Sequence, residues 1–198
     1  MIDRKDIKEF HFITPIENVP SIMKYGILSH KLSKKLPHDS VAMQEIQDRR
    51  RNKKIPGADK YIHDHANLYF DAHNATLSKL RSRNNEICIL QVSPEILNLR
   101  GVIISDRNAA SDWARFYPVQ EGLAAIDKDL VYAVSWKHPN NKYEEMEHKS
   151  IKGAETLVPD RVEPKYILGA YVANQVALAA FKKLKIKLTV EIKSDIFF

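Results

Sequence analysis

The stretch around which this chain is organised reads Lys152-Gly153-Ala154-Glu155-Thr156-Leu157-Val158-Pro159. It places a single acid, Glu155, between two small residues and a Thr-Leu-Val run. The preceding segment, 137–152, is strongly charged and contains only two strong apolar residues, Met146 and Ile151. This pattern predicts a mobile polar loop that delivers one carboxylate to the start of a short strand. Because a rigid strand end can hold a catalytic group, we predict that role for Glu155. The alternative is a solvated acid at a strand edge.

Length and composition are those of an ordinary globular protein. The 198 residues, 44% of them apolar, fit one domain, 1–198, that can bury a core without metal or disulfide support. No run of about 18 apolar residues and no secretory leader is present, which predicts a cytoplasmic protein without a membrane span. The single cysteine, Cys88, excludes an internal disulfide and a thiolate-rich zinc site, and its apolar neighbours predict a buried structural thiol.

The chain is basic, with 31 Lys and Arg against 25 Asp and Glu and a net charge of +6, which suits a polyanionic partner. Many of these cations lie in the segment 31–60. Val41, Met43 and Ile46 predict a helix over about 40–52 in this segment, ending before the breaker Pro56-Gly57. The helix carries Arg49, Arg50 and Arg51. Because successive helical residues point about 100° apart, at most two of these arginines can face one site. They form either a phosphate clamp or a solvated face.

Short strands and helices follow one another without a repeat. The pattern predicts a first strand over 6–14, then a helix ending at Gly26, with Pro20 in its first turn. Further strands are predicted over 66–74 (with a turn), 86–92, 101–105, 131–136, 166–172 and 188–192, and one begins at Glu155. Helices are predicted over 75–83 and 174–184, and another contains Trp113 and Phe116 after a loop over 106–112. About seven strands and four or five helices in this mixed order predict an α+β fold with a split or mixed sheet.

Four separated stretches resemble one known family when their order and spacing are taken together. They are Ile13-Thr14-Pro15-Ile16-Glu17-Asn18-Val19-Pro20-Ser21-Ile22 with Tyr25-Gly26, Glu45-Ile46-Gln47-Asp48-Arg49-Arg50, Asn67-Leu68-Tyr69-Phe70-Asp71-Ala72-His73-Asn74, and Lys152-Gly153-Ala154-Glu155-Thr156-Leu157-Val158. The family is DarT, whose members are NAD-dependent ADP-ribosyltransferases that modify bases in single-stranded DNA and act as toxins in toxin–antitoxin pairs. The resemblance covers most of the chain and implies an ADP-ribosyltransferase-like split mixed β-sheet with short helices.

The resemblance implies roles on the NAD side of the site. The catalytic glutamate, in an Ala-Glu-x-Leu-Val context, falls on Glu155, and a catalytic arginine that also contacts NAD falls on Arg49 or Arg50. Further NAD contacts are implied at Thr14 and Asn18, and at His11, Tyr25 and Gly26. Two residues separate the histidine from the threonine here, whereas one separates them in the family.

On the acceptor side, the resemblance implies contacts from two regions. The first contains Tyr69, Asp71 and His73; the second contains Arg107, Asn108 and Trp113. Thymine-modifying relatives resemble Asp-Gly-His-Ala where this chain reads Asp106-Arg107-Asn108-Ala109, so both thymine and guanine remain candidate targets. The alternative for Trp113 is core anchoring on a helix.

The residues suit the chemistry that this resemblance implies. Breaking the bond between nicotinamide and ribose develops oxocarbenium character, which a carboxylate stabilises. Glu155 supplies that carboxylate, one of the two arginines binds the pyrophosphate, and an aromatic wall of Phe12, Tyr25 or Tyr69 keeps the pocket dry. Glu155 also acts as general base on the acceptor nitrogen. A base inside a duplex is inaccessible, which predicts a single-stranded substrate.

Other readings of the sequence remain open. One is ADP-ribosylation of RNA or protein, and another is a nucleic-acid-binding domain without catalysis. A metal-dependent nuclease built on His63-Asp64-His65 is disfavoured because adjacent strand residues face opposite sides, so no metal is expected. The resemblance implies an ADP-ribose-removing macrodomain antitoxin as partner, and we expect the chain to be a monomer.

Overall fold

The computed structural model describes residues 1–40, 44–56 and 60–198. Val41, Met43 and Gly57, which helped to predict the helix over 40–52 and its end, lie outside these residues. None of the helices in the described ranges has the length and apolar character that a membrane span requires.

The described residues form ten strands and eight α-helices. The strands are β1 (Phe10–Pro15), β2 (Ile27–Leu28), β3 (His65–Tyr69), β4 (Ile87–Val92), β5 (Ile103–Ser105), β6 (Phe116–Pro118), β7 (Glu155–Pro159), β8 (Arg161–Val162), β9 (Ile167–Val172) and β10 (Val190–Ile192). The helices are α1 (Val19–Tyr25), α2 (His30–Ser33), α3 (Gln44–Arg51), α4 (Ala75–Lys79), α5 (Val119–Ala125), α6 (Lys128–Val131), α7 (Lys142–Ile151) and α8 (Gln175–Lys183).

Eight strands form one mixed sheet in the order β10-β9-β4-β1-β3-β7-β5-β6. Neighbouring strands are antiparallel, except that β10 runs parallel to β9. The short strands β2 and β8 pair separately. The predicted α+β class, with a mixed sheet and short helices, is therefore confirmed.

Side chains alternate between the two faces of this sheet, as strand geometry requires. Leu68 and Phe70 pack with Phe10 in the main apolar core, and the rings of Phe10 and Phe70 meet edge to face at 5.0 Å. Tyr69 and Ile13 pack in a second cluster on the opposite face. Neighbouring side chains at this end of β3 therefore lie in different clusters.

One row of cross-strand partners positions the candidate site. His11 on β1 is paired with Tyr69 on β3, Tyr69 with Glu155 on β7, and Glu155 with Ser105 on β5. Directly paired residues of antiparallel strands carry their side chains on the same face. Glu155 therefore begins an interior strand that is hydrogen-bonded on both sides.

The segment 137–152, predicted to be a mobile polar loop, is mostly the helix α7. Asn141 caps the helix: its Oδ1 accepts from the backbone N–H groups of Tyr143 at 3.1 Å and Glu144 at 3.2 Å. Such a cap satisfies donors that a helix start leaves open. The loop prediction was wrong because the helix needs little apolar surface; it docks through the buried side chains of His148 and Ile151.

The helix predicted to contain Trp113 and Phe116 is not formed. Phe116 instead begins β6 and pairs with Ser105. Asp106 and Arg115 continue this hairpin, because the Asp106 N–H donates to the Arg115 carbonyl and the Arg115 N–H donates to Asp106 Oδ1. The hairpin brings the loop 106–115 back against the sheet.

The strand predicted over 131–136 is also wrong. Asp127 accepts from the N–H groups of Asp129 and Leu130 and so begins the helical turn α6, which ends at Val131. Beyond it, the carbonyl of Ala133 accepts from a lysine side chain instead of a neighbouring strand. The apolar residues that suggested a strand therefore lie in irregular chain.

Candidate active site

A cavity of about 1340 Å³ lies among β1, α3, α7 and the loop after β5. Nine of the predicted site residues line it: Thr14, Asn18, Gly26, Arg49, Arg50, Tyr69, Arg107, Asn108 and Trp113. The fold thus brings together residues that are spread over a hundred positions of sequence.

Glu155, the predicted catalytic acid, is fully buried at the start of β7. Its Oε1 accepts from Arg50 Nη1 at 3.1 Å and from the Ala109 backbone N–H at 3.0 Å, and its Oε2 accepts from Arg50 Nη2 at 2.8 Å. Glu155 does not itself line the cavity, whereas Arg50, which covers it, does. The carboxylate is therefore a buried charge neutralised by a bidentate partner, not a solvated strand-edge acid.

The structure distinguishes between the two candidate arginines. The Arg50 side chain is 6% exposed, whereas the Arg49 side chain is 57% exposed and pairs with Glu45 on its own helix, at 3.5 Å. Burial opposes the charge of Arg50, but the carboxylate of Glu155 raises the pKa of its guanidinium above the ordinary value. Arg50 is thus held charged against the acid, while Arg49 contributes to a solvated face.

Tyr69 stands beside this ion pair on β3. Its hydroxyl lies 3.1 Å from the hydroxyl of Thr76, which is in the first turn of α4. Burial, followed by the charge of Glu155, raises the pKa of Tyr69 to about 12. The phenol therefore stays neutral and can donate a hydrogen bond at any physiological pH.

The loop after β5 brings a backbone donor to Glu155. Besides the Ala109 N–H on the carboxylate, Asn108 Oδ1 accepts from the Ala110 N–H at 2.9 Å, and the Asn108 N–H donates to the Ser150 carbonyl at 2.9 Å. A Cβ on Gly153 would lie 3.1 Å from the Cβ of Asn108, so the loop and the end of α7 are in close contact. The loop also carries Arg107, whose Nη1 lies 3.6 Å from Glu147 Oε1.

Lys53 ties the same loop to the region after α3. Its ammonium donates to the Ser111 carbonyl and lies 5.7 Å from the ring centroid of Phe116. Burial lowers the pKa of Lys53. The loop is therefore held on two sides, by α7 and by Lys53.

The opening strand and helix form the opposite wall. Asn18 Nδ2 donates to the Asp39 carbonyl at 2.6 Å and lies 3.4 Å from Thr14 Oγ1, and Asn18 Oδ1 accepts from the Asp39 N–H at 3.2 Å. Gly26 follows α1 with a φ of +90°, and a Cβ there would lie 2.3 Å from the Val162 carbonyl oxygen. Only glycine allows this close approach of two backbones.

Three large side chains stand exposed on the rim of the cavity. Trp113 is 81%, Tyr143 87% and Met146 70% exposed. Trp113 does not anchor the core, which contradicts the alternative considered from the sequence. The sequence analysis missed Tyr143 and Met146 because α7 was predicted to be a loop. Their spacing of three residues places both on one helical face.

Four predicted site residues are held by neighbours outside the cavity. His11 lies 3.2 Å from both the Phe70 carbonyl and Glu9 Oε1, and Asp71 Oδ2 accepts from a lysine. The ring of His73 stacks on Phe198 at 4.0 Å. Tyr25 is partly exposed beside the ammonium of Lys24. The predicted contacts of His11 and Tyr25 with NAD, and of Asp71 and His73 with the acceptor, do not follow from these positions.

The structure adds three residues to the cavity wall that the sequence analysis did not assign to an NAD site. The rings of His30 and His63 lie against each other with their centroids 4.2 Å apart and their planes tilted by 36°, and Gln47 lies beside Arg50 on α3. Burial, and then the charges of His30 and Arg50, lower the pKa of His63 to about 4. His63, one of the residues on which the nuclease alternative rested, thus contacts another imidazole. No three metal-ligating side chains converge in the described ranges.

Comparison with known proteins assigns this chain to the ADP-ribosyltransferases. The family model described as the ssDNA thymidine ADP-ribosyltransferase DarT matches residues 10–198. The chain belongs to the DarT family.

Individual relatives agree with this assignment. The chain is 30% identical over 183 residues to a DNA ADP-ribosyl transferase–DNA ADP-ribosyl glycohydrolase fusion protein of Thermosipho africanus (strain H17ap60334), a match that covers 89% of this chain and 45% of the fusion. It is 29% identical over 140 residues to a DNA ADP-ribosyl transferase of Thermus sp. (strain 2.9), covering 65% of this chain and 66% of that protein. The chain therefore spans about half of the first relative and just under two thirds of the second. The structure of Thermus sp. 2.9 DarT in complex with ADP-ribosylated ssDNA matches with a TM-score of 0.82 at 25% identity, covering 98% of this chain and 97% of that one.

Proposed function

We propose that this chain transfers ADP-ribose from NAD to the base of thymidine in single-stranded DNA, and that it is the toxin of a toxin–antitoxin pair. The observation that carries the proposal is the buried pair of Glu155 and Arg50 at the start of an interior strand, against a large cavity, in a member of the DarT family. The Thermus relative was captured with ADP-ribosylated ssDNA and the Thermosipho relative with ADP-ribose, which supports the same chemistry here.

The cavity suits a dinucleotide donor. Its volume of about 1340 Å³ exceeds the roughly 300–1,000 Å³ of ordinary small-molecule sites, leaving room for a donor and an acceptor nucleotide. Asn18 and Thr14 line one wall, and Gln47 offers a buried Oε1 that has no hydrogen-bond partner among the described residues. When bound, NAD supplies the ADP-ribosyl group and releases nicotinamide.

Arg50 has two tasks in the proposed reaction. Its guanidinium fork suits both a carboxylate and a diphosphate, and it lies on the cavity wall with Glu155 behind it. A diphosphate in the cavity would compete for the N–H groups that Glu155 now occupies. Arg50 then turns toward the cavity and uncovers the carboxylate, so binding of the donor readies the acid.

Glu155 acts on both halves of the reaction. As a fully buried carboxylate, it stabilises positive charge that develops beside it. Once Arg50 releases one carboxylate oxygen of Glu155, Glu155 also takes the proton from the nitrogen of the acceptor base. The Ala109 N–H continues to hold Oε1 and fixes the direction of the carboxylate.

The rim of the cavity suits a single strand of DNA. Trp113 and Tyr143 are exposed aromatic side chains on which unpaired bases can stack, a contact worth about 1–3 kcal/mol per base. Lys149 lies on the same wall and offers a cation to the phosphate backbone. A duplex would hide the reacting base, whereas a single strand can place it in the cavity.

Thymidine is the proposed target because the family is described by that activity. Arg107 and Asn108 stand in the loop that holds Glu155, at the positions where the sequence departs from the thymine-modifying pattern. Both line the cavity, which supports a contact with the acceptor base.

The proposed partner is an antitoxin that removes ADP-ribose from DNA, in a macrodomain. The Thermosipho relative is described as a fusion of a DNA ADP-ribosyl transferase with a DNA ADP-ribosyl glycohydrolase, so in that protein the two activities share one chain. This supports a pairing of the same kind for the present chain.

The test uses the purified chain, NAD and five single-stranded oligonucleotides, four of DNA that each lack one base type and one of RNA. Products are weighed by mass spectrometry. We expect one added ADP-ribosyl group on every DNA except the one without thymidine. Loss of the adduct only when guanosine is omitted would overturn the target base. Adducts on RNA alone, or on none of the oligonucleotides, would overturn single-stranded DNA as the substrate.

A further inference from the structure

Lys152, three residues before Glu155, is a fully buried charge that the proposed reaction does not use. Its ammonium donates to Asp71 Oδ2 at 2.6 Å, to the Val131 carbonyl at 3.1 Å and to the Ala133 carbonyl at 2.5 Å. A lysine ammonium has three N–H donors, and here each one has an acceptor. Such a complete set of partners compensates a charge that burial would otherwise make very costly.

These contacts join three segments that are distant in sequence. Asp71 lies just beyond the end of β3, Val131 and Ala133 lie at and after the end of α6, and Lys152 follows α7. Asp71 is itself fixed, because its Oδ1 accepts from the His73 N–H at 3.0 Å. The ammonium is therefore held on a preformed turn.

The ion pair of Lys152 and Asp71 lies at the end of the β3–β7 ladder, next to Glu155. The last paired residues of the two strands are Tyr69 and Glu155. The next backbone bond, from the Phe70 N–H to the Ala154 carbonyl, is 3.4 Å long and therefore weak. Beyond this bond, the ion pair of Lys152 and Asp71 joins the chain before β7 to the chain after β3. Strand ends fray first, and here the frayed end would begin at the catalytic acid.

We propose that the Lys152–Asp71 ion pair is a positioning device for Glu155, which holds the end of the β3–β7 ladder closed so that the carboxylate keeps its place against Arg50 and the Ala109 N–H. The inference rests on the proposed function for its kinetic part only. It also gives Asp71 a role, which the sequence assigned to contact with the acceptor.

The test compares Lys152→Met with the wild-type chain. Methionine has a similar length but no charge and no donors. We expect the kcat for transfer to fall roughly 10²-fold, because a displacement of about 1 Å at a catalytic group has that effect, with the KM for NAD within about twofold. Hydrogen–deuterium exchange should quicken about tenfold at the amides of Glu155 and Thr156 and stay unchanged in β4 and β9.

A matched control is Lys128→Met. Lys128 also pairs with a distant carboxylate, Asp6, at 2.9 Å, but the pair is exposed and lies away from the cavity. It should leave kcat and the exchange at Glu155 unchanged. Asp71→Asn is the second variant, since it removes the charge but keeps an acceptor for Lys152. It should lower kcat less than Lys152→Met does. If Lys152→Met does not fold, Asp71→Asn tests whether the ion pair positions Glu155.

The proposal is overturned if a folded Lys152→Met variant, or Asp71→Asn in its place, keeps the wild-type kcat and the wild-type exchange at Glu155. It is also overturned if exchange quickens equally in β4, because that would be a loss of global stability. If the wild-type chain transfers nothing, the proposed function fails, while the exchange comparison still decides whether Lys152 holds Glu155.

Discussion

Arg50 donates to both carboxylate oxygens of Glu155, at 3.1 and 2.8 Å, although the two residues lie 105 positions apart in the sequence. The pair is buried, and only its arginine faces the cavity. Glu155 thus lies behind Arg50, whose guanidinium is also suited to bind an anionic donor. In the proposed reaction, this one guanidinium links the binding of the donor to the catalytic carboxylate.

This arrangement predicts different outcomes for neighbouring arginines. Arg50→Lys keeps a positive charge but loses the bidentate fork, and we expect kcat for transfer to fall roughly 10²–10³-fold. Arg49 also lines the cavity, but its side chain is 57% exposed and pairs with Glu45, so Arg49→Lys should stay within about twofold of the wild type. Steady-state kinetics of the two variants decide which arginine is catalytic. Equal losses of kcat would contradict the assignment of that role to Arg50.

Gly26→Ala should destabilise the fold, because the new Cβ would meet the Val162 carbonyl oxygen at 2.3 Å in a backbone with a φ of +90°. Gly101→Ala is the matched control: its φ is +79°, but its Cβ would meet only a side-chain carbon, at 3.2 Å. The positive φ alone costs on the order of 1–3 kcal/mol, so the excess loss in Gly26→Ala measures the backbone clash. Urea unfolding of both variants gives the comparison, and equal losses would mean that β8 yields to the side chain.

Glu9 predicts how stability falls in acid. Burial acts against the charged form, but hydrogen bonds from His11 and Gln91 outweigh it and lower the pKa of the Glu9 carboxyl from 4.5 to about 2. A carboxyl with a depressed folded-state pKa contributes stability above its unfolded pKa, and that contribution is lost as pH falls from about 4.5 to about 2. For this half-buried group we expect on the order of 1–2 kcal/mol. Glu9→Gln should therefore flatten the unfolding free energy between these pH values; an unchanged slope would contradict the coupling.

His11 is held by two acceptors, one of them Glu9. One ring nitrogen faces the Phe70 carbonyl and the other faces Glu9 Oε1, each at 3.2 Å. A carbonyl and a carboxylate are both hydrogen-bond acceptors, so both ring nitrogens of His11 have partners inside the protein. In this structure the histidine of the opening motif is thus an internal partner of Glu9.

Trp113 should matter for DNA and not for the donor. Trp113→Ala removes an exposed stacking surface worth about 1–3 kcal/mol, which is roughly a 5- to 150-fold loss of affinity for single-stranded DNA. Binding of NAD should be unchanged. Tyr25→Ala removes an aromatic ring of similar kind outside the cavity and should change neither affinity. Fluorescence titrations at two salt concentrations would measure both, and a DNA affinity insensitive to Trp113 would contradict the placement of the strand on this rim.

Much of the site was predictable because its chemistry is concentrated in short motifs. Glu155 stands out as a lone acid ahead of an apolar strand, and the alternation of Leu68, Tyr69 and Phe70 fixes which face of β3 each side chain occupies. The choice between Arg49 and Arg50 was not predictable. It depends on the rotation of α3 against the sheet, and residues 100° apart on a helix look alike in sequence.

Contacts that join distant segments were hidden for a different reason. Nothing local marks Lys152 as buried, because its three acceptors come from the turn after β3 and from the end of α6 and the chain that follows it. The Ala109 N–H on Glu155 is a backbone donor and leaves no trace in the side-chain pattern. The loop predicted over 137–152 failed in a similar way, since the helix α7 is amphipathic only through two buried residues, His148 and Ile151.

The most direct test of the account is the rate at which Glu155→Gln transfers ADP-ribose to a thymidine-containing single strand in a single turnover. Glutamine keeps the size and still accepts from Ala109 and Arg50, but it has no charge and accepts no proton. We predict a rate roughly 10²–10⁴-fold below that of the wild type, with NAD binding and the circular dichroism spectrum retained. A folded Glu155→Gln chain that transfers at nearly the wild-type rate would contradict the account and place the catalytic acid elsewhere.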